Sequence, residues 1–256
     1  MSLKSLIGIE YTKIRRSKIG VILLLATCIL WIPSIVNADL NFTMQAEGIT
    51  PENNFFIQGF MAMSWFMFPA TMLVSTVLIN QTERKNSGML KMLSMPISIW
   101  RLCLAKYVVL LTLAALQIMM SVGMYYISAA IASQTQEYNL LLSPLFVCKE
   151  AALIWLSAIP MLAIFWLLTI CIQTPIVPIG LGFASIVPSV LIINTKFWFA
   201  YPMAYPFFFI TSEYGKLAKN LTTTQAEPIP WIPTAIFITL VCVLLSCIRF
   251  GKYERR

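Results

Sequence analysis

Apolar residues in this chain run in blocks too long and too continuous for the one-sided stripe of a soluble helix. A helix crosses a bilayer with about 20 such residues, about 17–25 being tolerated. Six blocks meet that length: Ile19–Val36, Phe56–Ile79, Tyr107–Ala132, Val147–Ile172, Val177–Ile193 and Trp231–Phe250. The fourth carries Lys149 and Glu150 near its start. The fifth is short and holds Pro178 and Pro188, each of which removes a helix hydrogen bond. Ahead of the first block, Leu3, Ile7 and Ile14 stand at nearly helical spacing with basic residues between and after them. That pattern predicts an amphipathic helix over residues 1–18 lying on a membrane surface, an ordinary basic flank being the alternative. Val36-Asn37-Ala38 before Asp39 resembles a signal cleavage site, but the apolar block is longer and lies deeper than a signal's, so the first span is expected to be retained. The expected fold is all-α: a polytopic membrane protein with six transmembrane helices, forming one transmembrane domain over 1–256.

Composition sharpens this expectation. Hydrophobic residues make up 59% of the chain and charged residues 11%, too few charges to cover a water-soluble fold of this size. A soluble enzyme is excluded, and the composition argues against a disordered chain. The net charge of +8 invites a nucleic-acid reading, but the placement of Lys and Arg argues for lipid instead. Residues 1–18 hold Lys4, Lys13, Arg15, Arg16 and Lys18; residues 80–106 hold Arg84, Lys85, Lys91, Arg101 and Lys106; residues 249–256 hold Arg249, Lys252, Arg255 and Arg256. The intervening segments 37–55 and 133–146 hold none, and 194–230 holds Lys196, Lys216 and Lys219. The positive-inside rule therefore puts both termini and the 80–106 loop in the cytoplasm.

Bond chemistry has no visible apparatus. The chain has no histidine, almost no carboxylate within its spans, and none of the G-x-x-x-x-G-K-[ST], H-E-x-x-H or G-x-S-x-G patterns. No catalytic, cofactor or metal residue is expected. Cys28, Cys103, Cys148, Cys171, Cys242 and Cys247 are scattered through mostly apolar sequence and read as small buried hydrophobes. Lys149 and Glu150 sit within a turn of a span's outer end, where long side chains snorkel to the interface, and Gln117 reads as packing glue between helices. If the protein drives transport, the energy comes from a partner; an ion-coupled secondary transporter and a non-transporting membrane scaffold are the other classes left open.

The loop between the second and third spans reads N-Q-T-E-R-K-N-S-G-M-L-K-M-L-S-M-P-I-S-I-W-R from Asn80. Thr82 can cap a short helix with Glu83 in its first turn. Met89, Leu90, Met92, Leu93 and Met95 form an apolar strip, Pro96 ends it, and Ser98 can start the next helix. A methionine-rich face of this kind can dock in a partner's groove or fold back on the bundle. Glu83, Arg84, Lys85, Gly88, Leu90, Leu93, Pro96 and Ser98 together resemble the first cytoplasmic loop of the type-2 ABC exporter permeases. The resemblance implies six spans, cytoplasmic termini, and a coupling helix in this loop that touches an ATP-binding cassette ATPase. It also implies a second permease subunit, identical or homologous, and no catalysis by the chain itself.

Between the fifth and sixth blocks, segment 194–230 holds Phe197, Trp198, Phe199, Tyr201, Tyr205, Phe207, Phe208 and Phe209, interrupted by Pro202 and Pro206. It is too broken to span and too apolar to stay in water, which predicts re-entrant half-helices in the outer interface. Two readings stay open: an anchoring aromatic belt, and a lateral groove for an amphiphilic peptide or lipid-like substrate. Such a groove would be lined by Phe197, Trp198, Phe199 and Tyr205 with Trp31 and Trp65 from the spans. Asn194–Phe199 followed by Tyr205-Pro206 is similar to the lantibiotic-protection permeases, which implies a bacterial cell membrane and a cationic antimicrobial peptide as cargo. Another drug- or lipid-exporting system is the alternative. Asp39, Glu47, Glu52, Glu137, Glu213 and Glu227 fall on the same outer side, where they either attract such a cargo or simply solvate the loops.

Overall fold

The structure, a computed structural model, describes residues 3–84, 98–172, 174–218 and 228–250 of the 256-residue chain. Among them it is helical throughout, with no strand. In chain order the helices are α1 (Leu3–Arg16), α2 (Ile19–Val36), α3 (Leu40–Thr43), α4 (Pro51–Ala62), α5 (Phe68–Arg84) and α6 (Ile99–Gln136). There follow α7 (Pro144–Ser157), α8 (Ile159–Cys171), α9 (Ile176–Ile186), α10 (Ser189–Ile192), α11 (Tyr205–Leu217) and α12 (Pro228–Phe250).

Among the described residues, five stretches are long and apolar enough to cross a membrane: Ile19–Val36, Pro51–Gln81, Ile99–Gln136, Pro144–Cys171 and Ile229–Phe250. The fifth expected block, 177–193, is a shorter apolar stretch over Ile176–Ile192. Pro188 can donate no hydrogen bond, and the helix breaks at Val187 between α9 and α10. The second span starts earlier than its apolar run suggests, at Pro51, where proline suits the first helical turn. In its middle the residues Met63–Met67 form a π turn in which the Phe68 N–H reaches the Met63 carbonyl five residues back. Pro69, which cannot bond to the Trp65 carbonyl, explains why the ladder loosens there.

At 38 residues, α6 is the mast of the bundle. It extends about 57 Å at 1.5 Å per residue, nearly twice the roughly 30 Å hydrocarbon core, so it projects beyond any membrane that contains it. It packs against α1, α2, α5, α7, α8 and α12. Polar side chains pin it at intervals: Thr71 Oγ1 donates to Gln117 Oε1 at 2.7 Å, Tyr107 OH to the Ile159 carbonyl at 2.9 Å and Trp155 Nε1 to the Leu111 carbonyl at 3.1 Å. The Tyr107 bond falls where α7 gives way to α8 at Ala158, beside Pro160. Asn80 Nδ2 donates to Thr169 Oγ1 at 2.8 Å, joining α5 to α8. The most extensive helix pair is α8 with α12, where Trp166 stacks on Phe250. The end of the bundle that carries α1 and the start of α6 is called the basic end below.

Close approach of α2 to α4 depends on Gly59, where a Cβ would lie 2.5 Å from a ring carbon of the fully buried Trp31. Gly59→Ala is expected to destabilise by roughly 1–3 kcal/mol through overpacking. Gly123→Ala in α6, where a Cβ meets nothing within 4 Å, is expected to stabilise by up to about 1 kcal/mol, alanine being the better helix former. Unfolding midpoints in one detergent check both, and equal midpoints for the two variants would contradict the packing.

Candidate functional site

At the basic end, α5 continues through Glu83 to Arg84, so Thr82 lies inside that helix and does not cap a new one. Lys85, Gly88, Met89, Leu90, Met92, Leu93 and Pro96 of the expected coupling helix lie outside the described residues. The chain is described again from Ser98, which sits in extended conformation at the N-cap of α6 and accepts from the Leu102 N–H at 3.2 Å, as its sequence position suggested.

Just beyond, Lys106 is 1% exposed in α6 and its Nζ lies 2.7 Å from Oε2 of Glu10 in α1. Glu10 is 3% exposed, and its other oxygen takes Lys13 Nζ at 2.7 Å. One carboxylate thus serves two ammonium groups, one on its own helix and one across the interface, satisfying the charges that burial would otherwise penalise. The face of α1 turned to α6 runs through Leu6 and Glu10, with Ile7, Lys13 and Ile14 half-buried. Leu3, expected on the apolar stripe, is exposed. Sequence reasoning had counted Glu10 and Lys106 only as loop charges. The available signal was Glu10 as the lone acid one helical turn after Leu6, in a segment otherwise basic.

At the opposite end the aromatic segment is broken as expected: two 3-10 turns, Trp198–Ala200 and Pro202–Ala204, lead into α11. Its side chains face inward more than a groove requires. Trp198 lies flat on Phe208, 9° between planes, and Tyr205 is fully buried against Trp198 and Trp231. Tyr205 OH donates to the Phe199 carbonyl and Tyr201 OH to the Ser185 carbonyl, which ties the segment to α9. Burial pushes both phenols up, keeping them protonated donors. Phe199 is half-buried, and Phe197 is exposed at 73%. Trp65 belongs to the same region through Phe207 (centroids 6.3 Å), whereas Trp31 sits in a separate cluster with Phe55, Phe60 and Tyr125. The structure therefore brings together Trp198, Phe199 and Tyr205, with Trp65 nearby, and sets Trp31 apart.

Lys149 is 64% exposed, while the neighbouring Glu150 is turned in and 3% exposed, their charged atoms 3.4 Å apart. Among the described residues no three His, Cys, Asp or Glu side chains gather in a way that could hold a metal ion. Cys103 and Cys247 are buried, whereas Cys148 is exposed, at odds with the expectation for that residue. A cleft of about 490 Å³ opens between the far end of α2, α3 and α4, with Ser34, Asn37, Asn41, Asn54 and Gln58 among its lining residues. None of these five was expected from the sequence to line a site.

A family model described as ABC-2 family transporter protein matches residues 6–189, well over half of the chain. The chain belongs to this family. No curated protein and no solved structure matches it. As an ABC-2 transporter protein with several apolar spans it is a multi-pass membrane permease of an ABC system, a class of typically non-catalytic transmembrane subunits whose system includes an ATPase partner. The matched region of the permease takes in Glu10, Lys106 and the cleft, and it ends before the aromatic segment.

Removing the carboxylate that both ammonium groups face should be costly. Glu10→Gln is expected to destabilise the ABC-2 permease by about 3 kcal/mol, and replacing Glu10 and Lys106 together by leucine and methionine should recover most of that loss, because two apolar side chains need no partner. Denaturant titration in detergent checks both. A double variant as unstable as the single would contradict the pairing.

Proposed function

We propose that this permease is the membrane half of an ATP-driven exporter, inserted with its basic end in the cytoplasm. The asymmetry of Lys and Arg between the two sides supports that orientation. In this reading α9 and α10 together make the sixth crossing as a broken helix, and a second permease subunit, identical or homologous, completes the pathway. The loop 80–106 carries the coupling helix. Glu83 and Arg84, at the end of α5, lead into it through Lys85 and Gly88; Met89, Leu90, Met92 and Leu93 dock in a groove of the ATPase, and Pro96 ends it.

The observation that carries this reading is the joint at the foot of α6. The loop feeds directly into a helix that runs unbroken from Ile99 to Gln136, and Lys106, two turns in, is fastened to Glu10. A push on the loop when the ATPases close would move α6 as a rod and carry α1 with it along the membrane surface, a rigid-body transition. The mast delivers that motion to the opposite end, where the aromatic segment and the acidic loops face the outer leaflet. The cargo in this account is an amphiphilic cationic peptide of the lantibiotic kind, drawn by Asp39, Glu47 and Glu52 in a segment without Lys or Arg. The exposed ring of Phe197 is the part of the aromatic segment placed to meet it.

Gly88→Pro, which breaks a helix at that point, is expected to abolish ATP-dependent peptide export by the permease–ATPase complex in proteoliposomes while membrane insertion stays normal. Export at the normal rate would overturn the coupling assignment.

A further inference from the structure

The cleft at the far end of α2 is built unlike the lipid-facing hollows elsewhere on the bundle. One such hollow, between α6 and α7, is lined by Ala115, Ile118, Met119, Val122, Ala151 and Trp155, side chains suited to an acyl chain. The α2–α4 cleft instead mixes Ser34, Asn37, Asn41, Asn54 and Gln58 with the apolar Leu30, Pro33 and Phe55 in its lining. Its polar side chains carry a donor deficit. Asn41 Nδ2 donates to the Ala38 carbonyl at 3.0 Å, and Asn54 Nδ2 donates to Asn41 Oδ1 at 3.0 Å. That chain ends on Asn54 Oδ1, which is buried and has no hydrogen-bond partner, in a residue only 3% exposed. A buried carbonyl oxygen without a donor is held at a cost unless a ligand or water supplies one.

Charge selects among donors. The segment 37–55 that frames the cleft contains Asp39, Glu47 and Glu52 and no Lys or Arg. Asp39 is exposed and immediately precedes α3, whose Leu40 and Asn41 line the cleft. Glu52, in the first turn of α4, is fixed by Tyr138 OH at 2.7 Å. An anion is repelled by such a rim, and a cation is drawn to it. A quaternary ammonium brings charge but no N–H for Asn54, whereas a primary ammonium brings both. The apolar part of the lining accepts a tail: Leu30, Pro33 and Phe55 border the cleft, and Phe55 packs beside the buried ring of Trp31 (centroids 6.4 Å).

We infer that this cleft binds a primary-amine amphiphile, its ammonium group donating to Asn54 Oδ1 under the acidic rim and its tail lying on Leu30, Pro33 and Phe55. The inference rests on the export reading given above, for it makes the cleft an outer-leaflet reception site for the amine-bearing part of the cargo. A zwitterionic phospholipid is disfavoured, because its phosphate would sit against the same carboxylates.

Trp31 provides the readout. The full-length permease, without ATPase or nucleotide, is placed in phosphatidylcholine nanodiscs and titrated with ω-bromododecylamine, whose bromine quenches nearby tryptophan. The expected result is a saturable quenching component that disappears in Trp31→Phe and is not produced by ω-bromododecanoate. Asn54→Leu, which keeps volume and removes the acceptor, should raise the half-saturation concentration about tenfold, the equivalent of one charge-assisted hydrogen bond. Ser34→Phe, which fills the cleft and leaves Asn54 intact, should abolish the component even if Asn54→Leu fails to fold. Half-saturation unchanged in Ser34→Phe overturns the site. Equal quenching by the carboxylate overturns the charge selection, and displacement by added phosphatidylethanolamine overturns the cargo assignment in favour of a bound lipid. Since no ATP is hydrolysed, failure here leaves the coupling experiment on Gly88 untouched, and failure there leaves the binding intact.

Discussion

A carboxylate shared by two ammonium groups, both within 2.7 Å, is the contact on which the basic end of this protein depends. Burying Glu10 and Lys106 is expensive, because the desolvation of two charges is repaid only when geometry is good and remaining hydrogen-bond positions are filled. A leucine pair would hold α1 to α6 as tightly. What the charges add is register. Sliding α1 by one helical turn, about 5.4 Å, would strand a carboxylate against apolar side chains and an ammonium without its acid, so only one seating of α1 on α6 is tolerated. An apolar interface alone would permit several.

The same principle recurs up the bundle. Lipid tails are as apolar as leucine, so helices inside a membrane are held in place by close packing and by polar contacts that have nowhere else to go. Thr71 with Gln117 and Asn80 with Thr169 fasten α5 to its neighbours, and Tyr107 with the Ile159 carbonyl braces the weak point beside Pro160. Each site lies on a helix that a proline or π turn has loosened elsewhere. The bundle consequently combines one unbroken member, α6, with partners that carry defined points of compliance. That is the arrangement a push delivered at the foot of α6 requires.

Much of this was legible in the sequence, and what was not has physical causes. Long apolar blocks announced the spans, and the prolines at 202 and 206 announced a broken aromatic segment, because both signals are local. Pro188 was visible too, but whether a proline kinks a span or ends it depends on neighbours that can satisfy the carbonyls near the break, as Tyr201 does for Ser185. Trp31 and Tyr205 looked like groove residues, since aromatic rings near a span's end serve equally as belts, walls or core; burial by Phe55, Phe60 and Tyr125 decided Trp31. Glu10 and Lys106 are 96 residues apart, with α2, α3, α4 and α5 between them, so no local pattern pairs them. The cleft residues likewise come from α2, α3 and α4, and an asparagine with an idle oxygen looks in sequence like any other.

The account's central claim is that α1 and α6 move as one body, locked by Glu10 and Lys106. Spin labels at Thr12 on α1 and Met119 on α6, both exposed, measure it in the permease–ATPase complex. The Thr12–Met119 distance should stay the same with and without ATP while a Met119–Leu181 distance, from α6 to α9, shifts; in Glu10→Gln the first distribution should broaden. A Thr12–Met119 distance that changes on ATP binding as much as the Met119–Leu181 distance would contradict it.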